Sequence, residues 1–481
     1  MNKYQFLLST PAKSRWQRIS LRKRAGIIVP LFSVYSKESF GIGDILDLKK
    51  VIDWCNLCGF SILQLLPLND TGFNFFPFSP QSSFALDPIY LSLRKFKVKA
   101  KGVSKNNLYV DYKIKWEKLK ILREIFLKEK WTNPKFKNFQ KENSYWLKDY
   151  CLYRVLKQKF QEKSWENWPQ SFQKNNQLKI EFQAWLQWQI FEQVKEVKNY
   201  AQKHKILLVG DLPWLLSFDS ADVWSHKEFF DLEHSAGAPA DAFSKKGQKW
   251  GAAPINWQKI FDDDFLYFKE KLRYAENFYD LFRIDHVLGT FRIWKVRRKE
   301  PEENKGLNGF FEPLDENLWE EQGRKTLKAF IKNTKMFPLV EDLGTVPDCC
   351  PKVLKELGLL GMKIQRWARQ YPLNSVATLS THDTSNWPVY FKKEFNRYPT
   401  KVEIEKKLKE MNKADSIFSI NLIFEWLFLD EKIKNYEIYR INTPGTVSEK
   451  NWRIRLPFSL EHLMNWHKNK EIKKIIKRAN R

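Results

Sequence analysis

The chain has 481 residues, 43% of them hydrophobic, enough for one large barrel or for two to three smaller domains. Its formal net charge is +27, a value that would suit a nucleic-acid-binding protein. The lysines are spread along the whole chain and alternate with glutamates, as in KVEIEKKLKEMNK (401–413), a pattern of solvated helix faces that argues against a nucleic-acid partner.

Short apolar runs alternate with helical stretches, and each run ends in a polar residue or a glycine. The clear runs are AGIIVPLFSV (25–34), FSILQLLPLND (60–70), KILLVGDLP (205–213), YDLFRIDHV (279–287), FPLVEDLG (337–344), GMKIQRW (361–367) and VATLSTHD (376–383). An eighth run, at 416–424, also fits a helix. Alternating strands and helices indicate parallel βαβ units, and eight of them predict an α/β fold of the (β/α)8 TIM-barrel type, with helical insertions.

Insertions interrupt the repeat and suggest a division of the chain. Residues 95–180 are rich in lysine, tryptophan and helical pattern, so we expect a helical subdomain between a first barrel part, 1–94, and the rest of the barrel, 181–481. A second insertion, at about 214–275, follows the third strand and contains most of the Gly, Ala and Ser residues that are typical of loops. A third, at 297–325, is charged and is predicted to be a surface loop.

The cysteines do not indicate a metal or disulfide framework. Five are present, and Cys55 and Cys58 form a single CxxC near the end of an apparent helix, without the second pair of a zinc site or the surroundings of a redox motif. Buried helix cysteines are the better interpretation. No secretory signal heads the chain and no long apolar run occurs, so we expect a soluble, cytoplasmic protein without membrane contact.

Acidic side chains recur where the predicted strands end. They are Asp70, Asp211, Asp285, Glu341 and Asp383. Because a (β/α)8 barrel carries its chemistry at the carboxyl ends of its strands, acids from several strands predict a shared site at this rim.

Arg283 and Asp285 lie two apart in LFRIDHVLGT (281–290), so a strand would point both to one face. A buried structural ion pair would explain this spacing. The convergence of acids from other strands instead favours an active site.

Retaining glycosyl transfer is the chemistry that fits these residues. One carboxylate attacks the anomeric carbon while a second carboxyl group protonates the leaving oxygen. Arg283 would keep Asp285 ionised, and Glu341, in an apolar strand, could retain a proton. Alternation points either Glu341 or the adjacent Asp342 inward, and the sequence leaves this open. Asp383 could hold sugar hydroxyls, with His382 as a hydrogen-bond donor.

Other site chemistries lack their motifs. The chain has no strand followed by GxGxxG, no Walker loop, no HExxH and no GxSxG around Ser380. The acids lie on separate apolar strands near an arginine, which argues against a metal site. We therefore expect neither a metal nor a cofactor.

Ordered motifs connect the chain to a known family. They are FGIGD (40–44), QLLPLNDTG (64–72), GDLPWLLSFDSADVW (210–224), GAPADAFSKKGQKWG (237–251), RIDHVLGTFRIW (283–294), EDLGTVP (341–347), STHDTSNW (380–387) and NTPGTVSEKNW (442–452). Together they resemble the amylomaltases, the 4-α-glucanotransferases of glycoside hydrolase family 77 in the α-amylase superfamily, over about 25–457.

The resemblance implies roles for individual residues. It makes Asp285 the nucleophile, Glu341 the acid/base and Asp383 a third carboxylate that holds and distorts the sugar. It implies supporting or substrate-binding roles for a second set: Asp211, Arg283, His382, Asp241 and Trp250. The last two lie in a mobile flap, Gly237–Gly251, where Trp250 would stack on sugar unless it is simply a core residue.

The chain also departs from the family pattern in its binding loops. Phe78, expected to bind substrate, stands where the family commonly has a tyrosine, so a hydroxyl is lost. Ala240 and Ile255 replace a proline and a tyrosine near the flap. These departures concern subsite preference and leave the three acids intact.

The expected function is transfer of α-1,4-glucan segments from a donor to the 4-hydroxyl of an acceptor glucan or glucose. A hydrolase with the same residues and a catalytically silent glucan-binding protein are the alternatives. We expect maltooligosaccharides as partners and a monomer or weak homodimer.

Overall fold

The computed structural model describes residues 3–103, 107–128, 133–169, 176–241 and 244–481. In these ranges eight parallel strands form the central sheet. They are β1 (Arg24–Val29), β2 (Ile62–Leu65), β3 (Leu207–Asp211), β4 (Leu281–Ile284), β5 (Phe337–Val340), β6 (Gly361–Ile364), β7 (Ser375–Thr378) and β8 (Phe418–Leu422). The predicted TIM barrel is confirmed.

Strands that follow one another in the chain are also neighbours in the sheet, and β1 pairs with β8. The barrel is nearly closed between β5 and β6, which meet at a parallel bridge between Leu339 and Leu360. Residues 416–424, ambiguous in the sequence, contain both kinds of structure, because β8 runs directly into the short helix Ile423–Leu427.

Helices surround the barrel and fill the connections. Their bounds are α1 (Lys13–Ile19), α2 (Asp47–Cys58), α3 (Ile114–Lys128), α4 (Pro134–Glu142), α5 (Ser144–Lys159), α6 (Gln177–Lys203), α7 (Ala221–Ser225), α8 (Trp257–Asp262), α9 (Leu266–Ala275), α10 (Asn317–Asn333), α11 (Cys349–Leu357), α12 (Trp387–Phe395), α13 (Lys401–Lys413), α14 (Ile423–Leu427), α15 (Leu460–Met464) and α16 (Asn469–Arg478). In the described ranges no helix combines the length and apolar character that crossing a membrane requires.

Helices α3 to α5 lie within the first long insertion, and α6 extends past its expected end at 180 and leads into β3. A buried ion-pair network joins this helical region to the loop after β2. Lys115 Nζ lies 2.9 Å from Asp70 Oδ1 and 2.7 Å from Asp87 Oδ1, while the Tyr150 hydroxyl donates to Asp70 Oδ2. Asp70, grouped with the rim acids by its position at a strand end, is therefore held by the helices.

A small antiparallel sheet stands beside the barrel rim. It contains strands Phe310–Glu312, Ile293–Arg297, His234–Ala238 and Gln248–Lys249, in that order. A second pair joins Leu216–Ser217 to Ala252–Ala253. The loop prediction for 297–325 was wrong at Phe310–Glu312, because these residues gain ladder hydrogen bonds from Ile293–Arg297, a pairing that the local sequence does not indicate. It was also wrong at 317–325, which form the start of α10.

Candidate active site

The carboxyl ends of β3 and β4 bring two acids to one arginine. Asp211 is in register with Arg283, and both side chains are almost fully buried. Arg283 Nη1 donates to Asp211 Oδ1 and Oδ2 at 2.9 and 2.8 Å, and it lies 2.8 Å from Asp285 Oδ1. The guanidinium is thus a permanent positive charge shared by Asp211 and Asp285.

These two acids differ in access to the barrel mouth. The Asp285 side chain is 31% exposed, whereas Asp211 is enclosed. Burial, together with the charge of Asp285, raises the pKa of Asp211 to about 6 despite the opposing effect of Arg283. Asp285 is therefore the acid that a ligand in the barrel mouth can reach.

Glu341 directly follows β5 and lies at the same part of the barrel rim as Asp285. Its backbone N–H donates to Ile284 O at 3.0 Å, and its carboxylate Oε2 accepts the backbone N–H of His286 at 2.7 Å. His286 has a left-handed backbone, φ +41°, which begins the turn after Asp285. Because Glu341 bonds the residue adjacent to Asp285, the two carboxyl groups belong to one site.

The environment of Glu341 favours its protonated form. Burial and the negative charge of Asp285 raise the pKa of Glu341 to about 8, although Arg283 opposes the shift. At neutral pH this carboxyl group holds a proton that it can give to a leaving oxygen.

The adjacent Asp342 turns away from the site. Its Oδ1 accepts the Met362 backbone N–H at 2.6 Å, and its Oδ2 lies 3.2 Å from Lys363 Nζ. These contacts join the end of β5 to β6, where the barrel closes. Of the two acids between which the sequence could not choose, the structure therefore places Glu341 at the rim.

Asp383 lies in the loop after β7 and is held by residues from a distant segment. Asn442 Nδ2 donates to its Oδ1 at 2.7 Å, and His382 Nε2 lies 3.4 Å from its Oδ2. Burial raises the pKa of Asp383, but His382 and Asn442 outweigh that effect and bring it to about 2. Arg440 also donates to the Asp383 carbonyl oxygen at 2.6 Å. Asp383 is thus an ionised acceptor with a fixed orientation.

Phe78 forms an aromatic wall next to these acids. Its ring stacks on His382 with centroids 4.6 Å apart and an interplanar angle of 19°. The Arg283 guanidinium lies 5.8 Å from the same ring, and Trp452 packs behind it at 5.6 Å. The ring is therefore part of the site.

The flap Gly237–Gly251 reaches the site through Trp250. This ring is 36% exposed and meets His286 edge-on at 4.8 Å, so it is not a core residue. Its indole N–H donates to Gln248 Oε1 at 3.0 Å. Asp241 lies in the same flap, where its carboxylate accepts the Ser244 N–H at 2.6 Å.

Asn442 and Arg440 are site residues that the sequence reasoning did not select. Asn442 opens the NTPGT motif, so the motif was a signal, but its contact with Asp383 spans 59 positions in the chain. Trp452, at the end of the same motif, is buried and packs against Phe78.

One group in the described part of the chain brings metal-binding side chains close together: Asp430, Glu431 and His467. It lies outside the rim, after α14. Trp466 Nε1 donates to Asp430, and Lys468 Nζ lies 2.8 Å from Glu431, so both carboxylates have protein partners.

Comparison with known proteins identifies the family. A family profile described as 4-alpha-glucanotransferase, glycoside hydrolase family 77, matches residues 29–461. The chain belongs to the 4-alpha-glucanotransferase family. A 4-alpha-glucanotransferase of Chlamydia pneumoniae is 35% identical over 96% of this chain and 97% of its own length. One from Aquifex aeolicus is 29% identical over 90% of this chain and 95% of its own.

Solved structures agree on the fold of this transferase. The amylomaltase from Streptococcus agalactiae in complex with acarbose has a TM-score of 0.80 at 23% identity and covers 96% of this chain and 100% of its own. The Corynebacterium glutamicum amylomaltase has a TM-score of 0.79 at 19% identity, over 97% of this chain and 76% of its own. The chain is an enzyme that transfers glucosyl segments, and the comparisons favour neither the hydrolase nor the silent alternative.

Proposed function

We propose that the enzyme moves α-1,4-glucan segments from a donor to the 4-hydroxyl of an acceptor glucan or glucose with retention of configuration. The observation that carries the proposal is the pairing of Asp285 and Glu341. One carboxylate touches a buried arginine, and the other carboxyl group holds a proton next to it. This is the division of labour that a double displacement requires.

In the first step, Asp285 attacks the anomeric carbon and the glycosidic bond breaks. Glu341 gives its proton to the departing oxygen, which leaves a glycosyl ester on Asp285. In the second step, the acceptor 4-hydroxyl attacks the same carbon and Glu341 takes its proton. Retention by this route predicts a separation of about 5–5.5 Å between the two carboxyl groups.

The remaining residues are proposed to bind the sugars. Asp383 and His382 hold hydroxyls of the reacting glucose, which stacks on Phe78. Their fixed orientation supports this role, because Asn442 sets Asp383 and the Phe78 ring sets His382. Arg283 contacts both Asp285 and Asp211, and Asp211 keeps the arginine in place.

The flap is proposed to decide between a sugar and water as acceptor. Both would attack the same ester, so the outcome depends on which reaches it first. Trp250 offers an exposed ring beside His286, and Asp241 fixes a turn of the flap through Ser244. A closed flap with a stacked acceptor would favour transfer.

Trapping the ester tests this mechanism. Glu341→Gln treated with α-maltosyl fluoride should accumulate maltosyl-enzyme, because fluoride leaves without an acid while the second step lacks its base. Mass spectrometry of the digested protein should place the adduct on the peptide that contains Asp285. Asp285→Asn is the control and should give no adduct. An adduct on another carboxylate would remove Asp285 from the nucleophile's role.

The oligomeric state, the substrates and the cellular location of the enzyme are also proposals. We propose that the enzyme is a monomer or weak homodimer that acts on maltooligosaccharides in the cytoplasm. The five cysteines support a reducing compartment, since all of them are free thiols.

A further inference from the structure

The loop 381–386, between β7 and α12, carries two residues of the proposed site, His382 and Asp383. Loops of this kind need support if their side chains are to hold a sugar precisely. One support in this region is Glu425, a fully buried acid on the short helix α14. Glu425 plays no part in the mechanism described above.

Glu425 holds both ends of this loop with one oxygen. Its Oε1 accepts the hydroxyl of Ser380, which precedes the loop, and the backbone N–H of Trp387, which follows it, at 2.8 Å. Because the two donors share one acceptor, the ends of the loop are kept close together.

Other contacts hold the C-terminal end of the same loop. Arg366 donates to the hydroxyl and carbonyl oxygens of Ser385 at 2.9 and 2.5 Å, and Asn386 Nδ2 donates to Tyr436 O at 2.7 Å. With Asn442 bound to Asp383, the loop is restrained from several sides. Glu425 is the member that closes the loop at its base.

The buried position of Glu425 is energetically unfavourable for a carboxyl group. Its second oxygen, Oε2, is buried and has no hydrogen-bond partner among the described residues. Burial raises the pKa of Glu425 to about 7, although its two hydrogen bonds oppose the shift. A buried polar group that is only partly satisfied is often retained for function.

We propose that Glu425 is a positioning residue for the transfer reaction, which joins the ends of loop 381–386 and thereby sets Asp383 and His382 against the sugar. This inference rests on the proposed role of Asp383. Glu425 itself does not reach the substrate, and it acts through the loop.

Substitution of Glu425 tests the inference. Gln keeps an acceptor oxygen at Oε1, whereas Leu removes it. Glu425→Leu should lower kcat by about 100-fold with little change in KM, because small misplacements of reacting groups cost this much. Glu425→Gln should restore most of the rate. Equal rates for the Leu variant and the parent enzyme would overturn the proposal.

Asp430→Leu is the matched control for lost stability. Asp430 is a buried acid near the same helix that also accepts one side-chain and one backbone donor, Trp466 Nε1 and Lys432 N. The Asp430→Leu variant should lower the melting temperature as much as Glu425→Leu does and leave kcat unchanged. A matching loss of kcat in the control would reduce Glu425 to a structural residue.

A double-mutant cycle with Asp383→Asn tests the positioning role of Glu425 separately from the proposed sugar-binding role of Asp383. With α-maltosyl fluoride as donor, Glu425→Leu should cost little in the Asp383→Asn background, since the residue through which it acts is already disabled. Losses that multiply would contradict the inference. Full activity of Asp383→Asn would instead contradict the proposed role of Asp383. If Glu425→Leu does not fold, Ser380→Ala takes its place in the same cycle.

Discussion

At the residue scale, the two carboxyl groups of the site differ in their surroundings. Asp285 contacts the guanidinium of Arg283, while Glu341 is half-buried and lies close to the negative charge of Asp285. The same functional group can therefore serve as nucleophile in one position and as proton donor in the other.

The raised pKa of Glu341 predicts a loss of activity in alkaline solution. The acid must be protonated to act, so kcat/KM for maltotriose should fall as pH rises through about 8. With α-maltosyl fluoride, whose leaving group needs no proton, this fall should be absent. Rate profiles for the two donors provide the measurement, and an identical fall for both would exclude Glu341 as its cause.

Sequence reasoning predicted some of these residues and could not predict others. Alternation along the predicted strand placed Arg283 and Asp285 on one face, because the side-chain period of a strand is regular. In the structure β4 ends at Ile284, and the two side chains are in contact. Alternation could not choose between Glu341 and Asp342, which both follow the last residue of β5. That choice depends on the Met362 N–H of the neighbouring strand, a contact formed only in the folded barrel.

At the element scale, the flap is held from outside the barrel. Lys249 Nζ donates to the carbonyl oxygens of Arg298 and Glu300 at 2.9 Å, and Gly306 N–H donates to Lys246 O. The segment after β4 therefore supports the flap that carries Trp250. The sequence did not indicate this support, because the contacts cross more than 45 positions.

Removal of the Trp250 ring should shift the enzyme toward hydrolysis. Trp250→Ala would take away the exposed stacking surface beside His286, so that water competes better for the ester. The ratio of transfer to hydrolysis, measured from product distributions, should fall. Gln248→Ala is the control, since it removes the hydrogen bond to the indole and keeps the ring. An unchanged ratio in Trp250→Ala would deny the ring a role in acceptor selection.

At the scale of the whole molecule, the basic tail is part of the fold. The tail comprises residues 468–481, and its helix α16 exposes its lysines while it buries Ile472, Ile475 and Ile476. Beyond this helix, the Arg481 guanidinium donates to a cluster of carbonyl oxygens next to β1 and β8: Arg24, Asn412, Ala414, Ser416 and Ile417. These contacts fasten the tail to the end of the barrel opposite the site.

Loss of this clamp should destabilise the enzyme without changing its chemistry. Arg481→Leu would leave several carbonyl oxygens without a donor and should lower the free energy of unfolding by about 1–3 kcal/mol. Urea unfolding measures the change, and kcat should stay the same. Arg478→Leu removes an equal charge from an exposed position of α16 and should have little effect on stability. Equal losses in the two variants would show that charge, rather than the clamp, matters.

We expect a sugar, not water, to resolve the ester on Asp285, and the products formed from maltotriose distinguish the two. Transfer breaks one bond for each bond made, so we expect free glucose and a series of longer maltooligosaccharides, while the total number of reducing ends stays nearly constant. Chromatography of the products and a reducing-end assay on the same samples give both quantities. A steady rise in reducing ends, with products that are all shorter than maltotriose, would contradict transfer and identify a hydrolase.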